Sequence, residues 1–385
     1  MEDIIHRLRR QGLHVLPNRI AELAIIASLV ASCGTSDPVT LQPDPPPLQR
    51  AASFQDALNR WASRAGHWGV QATIILPDGS EWSGVAGIAG SSPLDAGSLI
   101  RIASITKTMT AAIALQLVQQ ERLSLDDTVG TWIRGFPNIP GRITLRQLMN
   151  HTSGLANYTA SPVLSTAIAA APTRVVPVAE LLSYIGPPSF APGTRTEYTN
   201  SSILVLGRIL EELTGKHIVT LYHERLWDPL GLKEIFLPGY EDAPAPTATT
   251  RIGAAWVDPM QRIGSLSAGH AAFGLLSNAR TVARWGRALF TGSLLNPTMQ
   301  GAMRTLVPAA GNIPGESGAG LGIRAYNYHG RLQLGHSGGS AEGSSLLLYD
   351  VTTRITVAVV MNQGAGADHF ALAPELLALA SAQSP

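Results

Sequence analysis

The chain has 385 residues, 45% of them hydrophobic and 14% charged, which supplies a core for one large domain or two interlocked ones and excludes general disorder. Its 28 basic and 27 acidic residues leave a formal net charge of +1, so there is no electrostatic footprint for nucleic acid. A single cysteine, Cys33, excludes an intrachain disulfide, and the only lysines are Lys107, Lys216 and Lys233, so a lysine inside a motif carries unusual weight.

At the N-terminus, Arg7, Arg9, Arg10 and Arg19 precede a mostly apolar run over 23–31, followed by Ser32-Cys33. A positive start, a short apolar stretch and small residues at the cut are the layout of a secretory signal. A cysteine directly after the small residues resembles a bacterial lipobox. The expectation is a signal segment over 1–33, lipidation at Cys33 and an exported location in the periplasm or cell envelope. The apolar run is shorter than the about 20 residues that span a bilayer, so any membrane contact is expected through the anchor alone. Pro38, Pro43, Pro45, Pro46 and Pro47 mark 34–50 as an extended linker.

Residues 51–66 carry helical spacing, with Phe54, Leu58 and Trp61 on one face. Two strands, over 70–76 and 81–88, flank the turn Pro77-Asp78-Gly79-Ser80. A long apolar-rich helix follows Ser104 and ends near Glu121-Arg122. From about 130 to 310 the chain reads as helical patches and Pro/Gly-rich loops, with clear helices over 204–213, closed by Gly215, and over 281–290. Strands return over 321–328, 331–335, 344–349 and 355–361, and a helix over 369–381 closes the chain. Strand material thus sits at both ends. The expected fold is α/β of the α+β type: an antiparallel sheet built from both chain ends (about 51–103 and 315–383), flanked by terminal helices, around a mainly helical insertion (about 104–314). The site is expected at the seam between the two.

Three short patterns carry chemistry. In Ser104-Ile105-Thr106-Lys107 the serine and lysine share one face of a helix at i and i+3. A serine hydroxyl needs a base within hydrogen-bond reach, and a lysine serves if burial lowers its pKa. Taken alone, the pattern also fits a capping serine and a solvated lysine. Tyr198-Thr199-Asn200 lies 94 residues beyond Ser104. A phenol beside an ammonium can shuttle a proton to a leaving group, and an amide can hold a substrate carbonyl. Gly335-His336-Ser337-Gly338-Gly339 ends a strand, where glycines let a substrate backbone lie close and a free N–H can complete an oxyanion hole with that of Ser104.

Together and in this order, the three resemble the serine β-lactamase and penicillin-binding-protein family in its class C-like and D-Ala-D-Ala carboxypeptidase branch, marked by Ser-x-x-Lys, Tyr-x-Asn and Lys/His-x-Gly. Ile100–Ser104 and Arg146–Leu155 match the family's context as well. The resemblance implies the β-lactamase/transpeptidase-like fold. It also implies an acyl-enzyme at Ser104, Lys107 as the base and Tyr198 as acid or base at the leaving group. Asn200 would bind the acyl side, His336, Ser337 and Gly338 would line the strand edge, and Gly339 would give the second oxyanion N–H. The third motif departs from Lys-Thr-Gly: a histidine is mostly neutral at pH 7, so efficient cephalosporin hydrolysis is not expected. Arg324 resembles in position an arginine that binds the substrate's terminal carboxylate. His151 and His270 are expected to be structural.

The expected function is a serine hydrolase acting on D-Ala-D-Ala-type peptides or β-lactams. The alternatives are a short-chain carboxylesterase on the same fold and, remotely, an inactive envelope binding protein. Gly335–Gly339 also fits the Gly-x-Ser-x-Gly elbow of α/β-hydrolases, with Asp350 and His369 as partners on paper, but the βαβ repeats which that fold requires are missing. The ten histidines show no paired metal-ligand spacing, no cofactor is implied, the partner is a small-molecule or peptidoglycan-like substrate, and a monomer is favoured.

Overall fold

Helix α1 (Ala51–Ala62) repeats its apolar residues at helical spacing and buries Phe54, Leu58 and Trp61. The structure is a computed structural model; it describes residues 51–64, 66–309, 313–364 and 367–382. The expected signal segment, Cys33 and the proline-rich linker lie outside the described residues.

Strands β1 (Gly69–Ile75) and β2 (Glu81–Ala89) form an antiparallel hairpin in register Thr73↔Ser83. β3 (Ser92–Pro93) lies at the edge, and β4 (Ile100–Arg101) leads through a 3-10 turn, Ala103–Ile105, into helix α2 (Thr106–Gln119). The middle of the chain is helical: α3 (Leu145–Met149), α4 (Pro162–Ala170), α5 (Val178–Ser183), α6 (Asn200–Thr214) and α7 (Ile218–Tyr222). Short strands β5 (Ile235–Phe236), β6 (Thr250–Ile252) and β7 (Ala255–Val257) precede α8 (Ile263–Ser267), α9 (His270–Phe273) and strand β8 (Leu276–Ser277). Helices α10 (Ala279–Thr291) and α11 (Pro297–Met303) follow. The chain then returns to strands β9 (Glu316–Ala319), β10 (Arg324–Tyr328), β11 (Arg331–Gly339), β12 (Ser344–Asp350) and β13 (Thr356–Met361), before helix α12 (His369–Ser381).

Eight strands make one antiparallel sheet in the order β3-β2-β1-β13-β12-β11-β10-β9. Its central neighbours β1 and β13 come from opposite ends of the folded body, in register Val70↔Met361. Both are buried along their whole length, because helices cover both faces. On one face, Val70, Ala72, Ile74, Val357, Val359 and Met361 pack with α1 and with Leu372, Leu376 and Leu377 of α12. On the other, Ala358 and Val360 join Val282, Trp285 and Leu289 of α10 and the helical region. Each fully buried aliphatic side chain contributes roughly 1.5–3 kcal/mol. Helix α2 is buried through most of its length, polar residues such as Lys107 and Thr110 included, as a central helix is.

Two local expectations shift. Ser104 sits in the 3-10 turn rather than in the helix, because Ala103 adopts φ 46°, a left-handed conformation that no regular helix accommodates. Strand β11 runs on to Gly339, since its ladder with β12 continues to Gly339↔Ser344. β9 was absent from the sequence reading: Glu-Ser-Gly-Ala has little strand propensity and is held by pairing Ala319 with Arg324.

Candidate active site

Ser104 is presented by a turn tied down on every side. Ser345 Oγ donates to Ile102 O at 2.7 Å, Thr106 Oγ1 donates to Ala103 O at 2.7 Å, and Ile102 N–H donates to Leu275 O at 3.1 Å. These bonds stabilise the unfavourable φ at Ala103, a strained residue held by its surroundings.

Lys107 lies just inside α2 and is fully buried. Its Nζ is 3.0 Å from Ser104 Oγ, 2.7 Å from Asn200 Oδ1 and 2.8 Å from Ala272 O. Asn200 opens α6, where the Thr199 side chain caps the helix by accepting from Ser201 N–H. Tyr198 stands just before that cap, and its hydroxyl is 2.8 Å from Ser104 Oγ. Sequence positions 104, 107, 198 and 200 are therefore brought together.

The electrostatics assign protons. Burial pushes the Lys107 ammonium well below the usual lysine range, and the nearby Arg324 cation pushes the same way. Burial holds the Tyr198 phenol above its ordinary value, against the opposing pull of Arg324. An ammonium would donate to all three partners of Nζ. The free amine keeps two protons, for Asn200 Oδ1 and Ala272 O, and turns its lone pair to Ser104. Tyr198 O–H donates to Ser104 Oγ and Lys107 Nζ donates to the same oxygen; with the amine neutral, the second bond would reverse and run from Ser104 O–H to Nζ. A buried amine whose pKa is lowered and a phenol whose pKa is raised both touch the same hydroxyl oxygen.

The third motif borders the same turn. The β10–β11 ladder ends at Arg324↔Gly335, so His336–Gly339 continue paired with β12. A Cβ on Gly338 would lie 2.2 Å from Ile102 O and 2.3 Å from Ser345 Oγ, so only glycine lets β11 approach the nucleophile's turn this closely. A Cβ on Gly339 would meet nothing within 4 Å. A strand edge beside the serine turn is where an acyl backbone and an oxyanion are held. His336 is buried, donates from Nδ1 to Ser337 O at 2.6 Å, and its ring centroid is 6.1 Å from that of Tyr198. Burial, then Arg324 and Lys107, keep it well below the usual imidazole range and hence neutral.

Arg324 reaches the site but not as expected. Its guanidinium stacks 4.3 Å from the Tyr198 ring centroid and is ion-paired with Glu316. A cation this buried requires a counter-charge, and β9 supplies it. Arg324, expected to bind a substrate carboxylate, thus stands at the site with its charge matched by Glu316. The Gly-x-Ser-x-Gly alternative also fails, because Ser337 lies within a strand rather than at a strand–turn–helix elbow. Asp350 instead pairs with Arg331 and Gln333.

Three contributors had no motif. His151 is buried at φ 60°, accepts from Thr199 N–H at Nδ1 (3.5 Å), and packs its ring 4.5 Å from that of Tyr198. The Ala272 carbonyl holds Lys107, and the Phe273 ring centroid lies 5.7 Å from Nζ, keeping it dry. Only His151, inside the family-like Arg146–Leu155 segment, left a trace in the sequence. As for metals, Glu211, His217 and His270 are brought within ligand reach of one another, from three elements whose spacing gave no sign of it.

The sequence model described as Beta-lactamase matches residues 58–382. A D-aminopeptidase of Cereibacter sphaeroides is 27% identical over 302 residues, 77% of this chain and 56% of that protein. One of Brucella anthropi is 29% identical over 167 residues, 42% of this chain and 31% of that protein. The chain thus spans about half the length, or less, of these curated relatives. Among solved structures, a D-stereospecific amidohydrolase from Streptomyces sp. is 29% identical with a TM-score of 0.71, over 81% of this chain and 94% of that one. The D-amino acid amidase of Ochrobactrum anthropi SV3, complexed with L-phenylalanine, is 25% identical with a TM-score of 0.76, over 86% and 99%. With its sheet, its serine–lysine–tyrosine cluster and a match over most of its length, the chain belongs to the Beta-lactamase family and has that family's fold.

Proposed function

We propose that the chain hydrolyses amides and short peptides of D-configured residues through an acyl-enzyme at Ser104. The carrying observation is the chain Tyr198–Ser104–Lys107, with a phenol and a buried amine both within hydrogen-bond reach of one oxygen. In acylation the Ser104 Oγ–C bond forms and its proton passes to Lys107. The C–N bond then breaks as Tyr198 protonates the amine, and the Lys107 proton restores the phenol. Water then adds to the acyl carbon by the same groups in reverse, releasing the acid. Ser104 N–H and Gly339 N–H are assigned to the developing oxyanion.

D-configured substrates are supported by the relatives' names and folds. D-Ala-D-Ala-type peptides and β-lactams present the same kind of carbonyl and remain within the class. The Arg324–Glu316 pair favours amides without a terminal carboxylate, since the site's nearest permanent cation is already matched. Short-chain esters are the second reading, favoured by the neutral His336 where a lysine is the common residue. With residues 1–33 read as a lipoprotein signal, we place the reaction in the cell envelope.

The test uses the chain from residue 51, with a D-phenylalanine amide, a D-Ala-D-Ala peptide, a labelled penicillin and p-nitrophenyl acetate. Amide turnover with a transient adduct on Ser104, both absent in Ser104→Ala, is the expected result; the loss is at least about 10³-fold. Ester turnover alone moves the assignment to an esterase. A lasting penicillin adduct without amide turnover moves it to a penicillin-binding peptidase. No adduct with any substrate overturns the catalytic reading.

A further inference from the structure

Two residues before Ala272, the carbonyl partner of Lys107, a second polar cluster is buried between three helices. Glu211 lies in the last turns of α6, His217 is the N-cap of α7, and His270 opens α9. One donor atom from each lies within 4.8 Å of the other two. His270 Nε2 is 3.5 Å and His217 Nε2 3.7 Å from Glu211 Oε1, both longer than the about 2.7–3.2 Å of an ordinary hydrogen bond. His270 is fully buried and held at φ 36°, yet neither of its ring nitrogens has a hydrogen-bond partner among the described residues. A buried imidazole in that condition is costly unless something else engages it.

We propose that Glu211, His217 and His270 form a three-ligand site for a borderline divalent transition metal, with Zn²⁺ the ion this ligand set fits best. Two imidazoles and one carboxylate suit Zn²⁺, whereas Ca²⁺ and Mg²⁺ prefer all-oxygen shells. Ligands at about 2.0–2.2 Å on a tetrahedral ion stand about 3.3–3.5 Å apart, so the two carboxylate–imidazole separations are near the required values, and the two imidazoles lie within 4.8 Å of each other. The ion enters past His217, the one exposed ligand. The surroundings resemble an outer shell: Ile218 N–H donates to Glu211 Oε1 at 3.0 Å, and the Tyr240 ring packs 4.6 Å from that of His217. Arg208 stays on the other carboxylate oxygen, at 3.5 Å. The cost is the 3.3 Å contact from Val219 N–H to His217 Nδ1, which is given up when Nε2 binds metal and Nδ1 carries the proton. Occupancy would brace α9 against α6, and α9 carries the Ala271 and Ala272 carbonyls that hold Thr110 and Lys107.

The experiment strips the full chain with a chelator, titrates Zn²⁺ against a chelating dye, and records the visible spectrum with Co²⁺. One ion per chain, a tetrahedral-type Co²⁺ band and a Zn²⁺-dependent rise in Tm are expected. His217→Ala, at the exposed ligand, lowers affinity at least about 100-fold, more than loss of an outer-shell partner. Glu211→Gln is the second variant, and circular dichroism checks the folding of both. Zn²⁺ binding equal in parent and variants, a Co²⁺ spectrum of weak octahedral type, or no binding by the parent overturns the site.

Discussion

In the proposed reaction Lys107 serves as the base because it is kept from water, and Arg324 adds to that effect from beyond the Tyr198 ring. Removing the cation raises the Lys107 pKa, so protonated, inactive enzyme persists to higher pH. Arg324→Met combined with Glu316→Gln, which leaves no buried charge unmatched, is therefore expected to move the acid limb of kcat/KM to higher pH; an unmoved limb would show that burial alone sets the base. Ser104, Lys107, Tyr198 and Asn200 were legible because nucleophilic chemistry requires fixed residue types at motif spacing. The pairing of Arg324 was not, since Glu316 lies in a Gly-Ser stretch with no strand signal. Nor was the gathering of Glu211, His217 and His270, which depends on how α6, α7 and α9 pack rather than on any local period.

Elements with strong periodicity were legible almost to the residue. The terminal helix matches 369–381 in both readings, and β1, β2, β12 and β13 shift by a residue or so. The ends that moved are those set by tertiary contact: β11 gains its last four residues from β12, and Ser104 leaves the helix through the strained Ala103. The close approach of β11 to Ile102 gives a contrast between neighbours. Gly338→Ala forces a Cβ into backbone and is expected to destabilise by about 1–3 kcal/mol in urea unfolding and to displace the serine turn. Gly339→Ala points into open space and is expected to leave stability unchanged. Equal destabilisation by both would show that the approach is not what glycine serves here.

At the scale of the molecule, one buried carboxylate joins three distant segments. Glu342, from the β11–β12 connection, pairs with Arg101 at 2.6 Å and Arg262 at 2.9 Å and accepts from Ser265 Oγ at 2.9 Å. It thereby ties the strand before the nucleophile to α8 and the sheet. Glu342→Gln leaves the Arg101 charge buried and uncompensated, and about 3–5 kcal/mol of stability should be lost at pH 7. Arg101 and Arg262 hold the Glu342 carboxyl down to about 2, from 4.5. Its contribution is thus complete above about pH 4.5 and fades as pH falls toward 2, so the gap between wild type and variant should narrow over that range in denaturant titrations. A gap constant with pH would show that the pair is not the source.

The pairing of β1 with β13 also orders events in time. A ribosome that has produced the first 340 residues has made the nucleophile, the base and the whole helical region, yet β1 still lacks the neighbour that fills its inner edge. The sheet closes only when residues 356–361 emerge. Closure of the sheet thus waits for residues 356–361, as high sequence separation between contacting strands dictates. A nascent chain paused before that point should be readily cut by protease, and one released after it should resist.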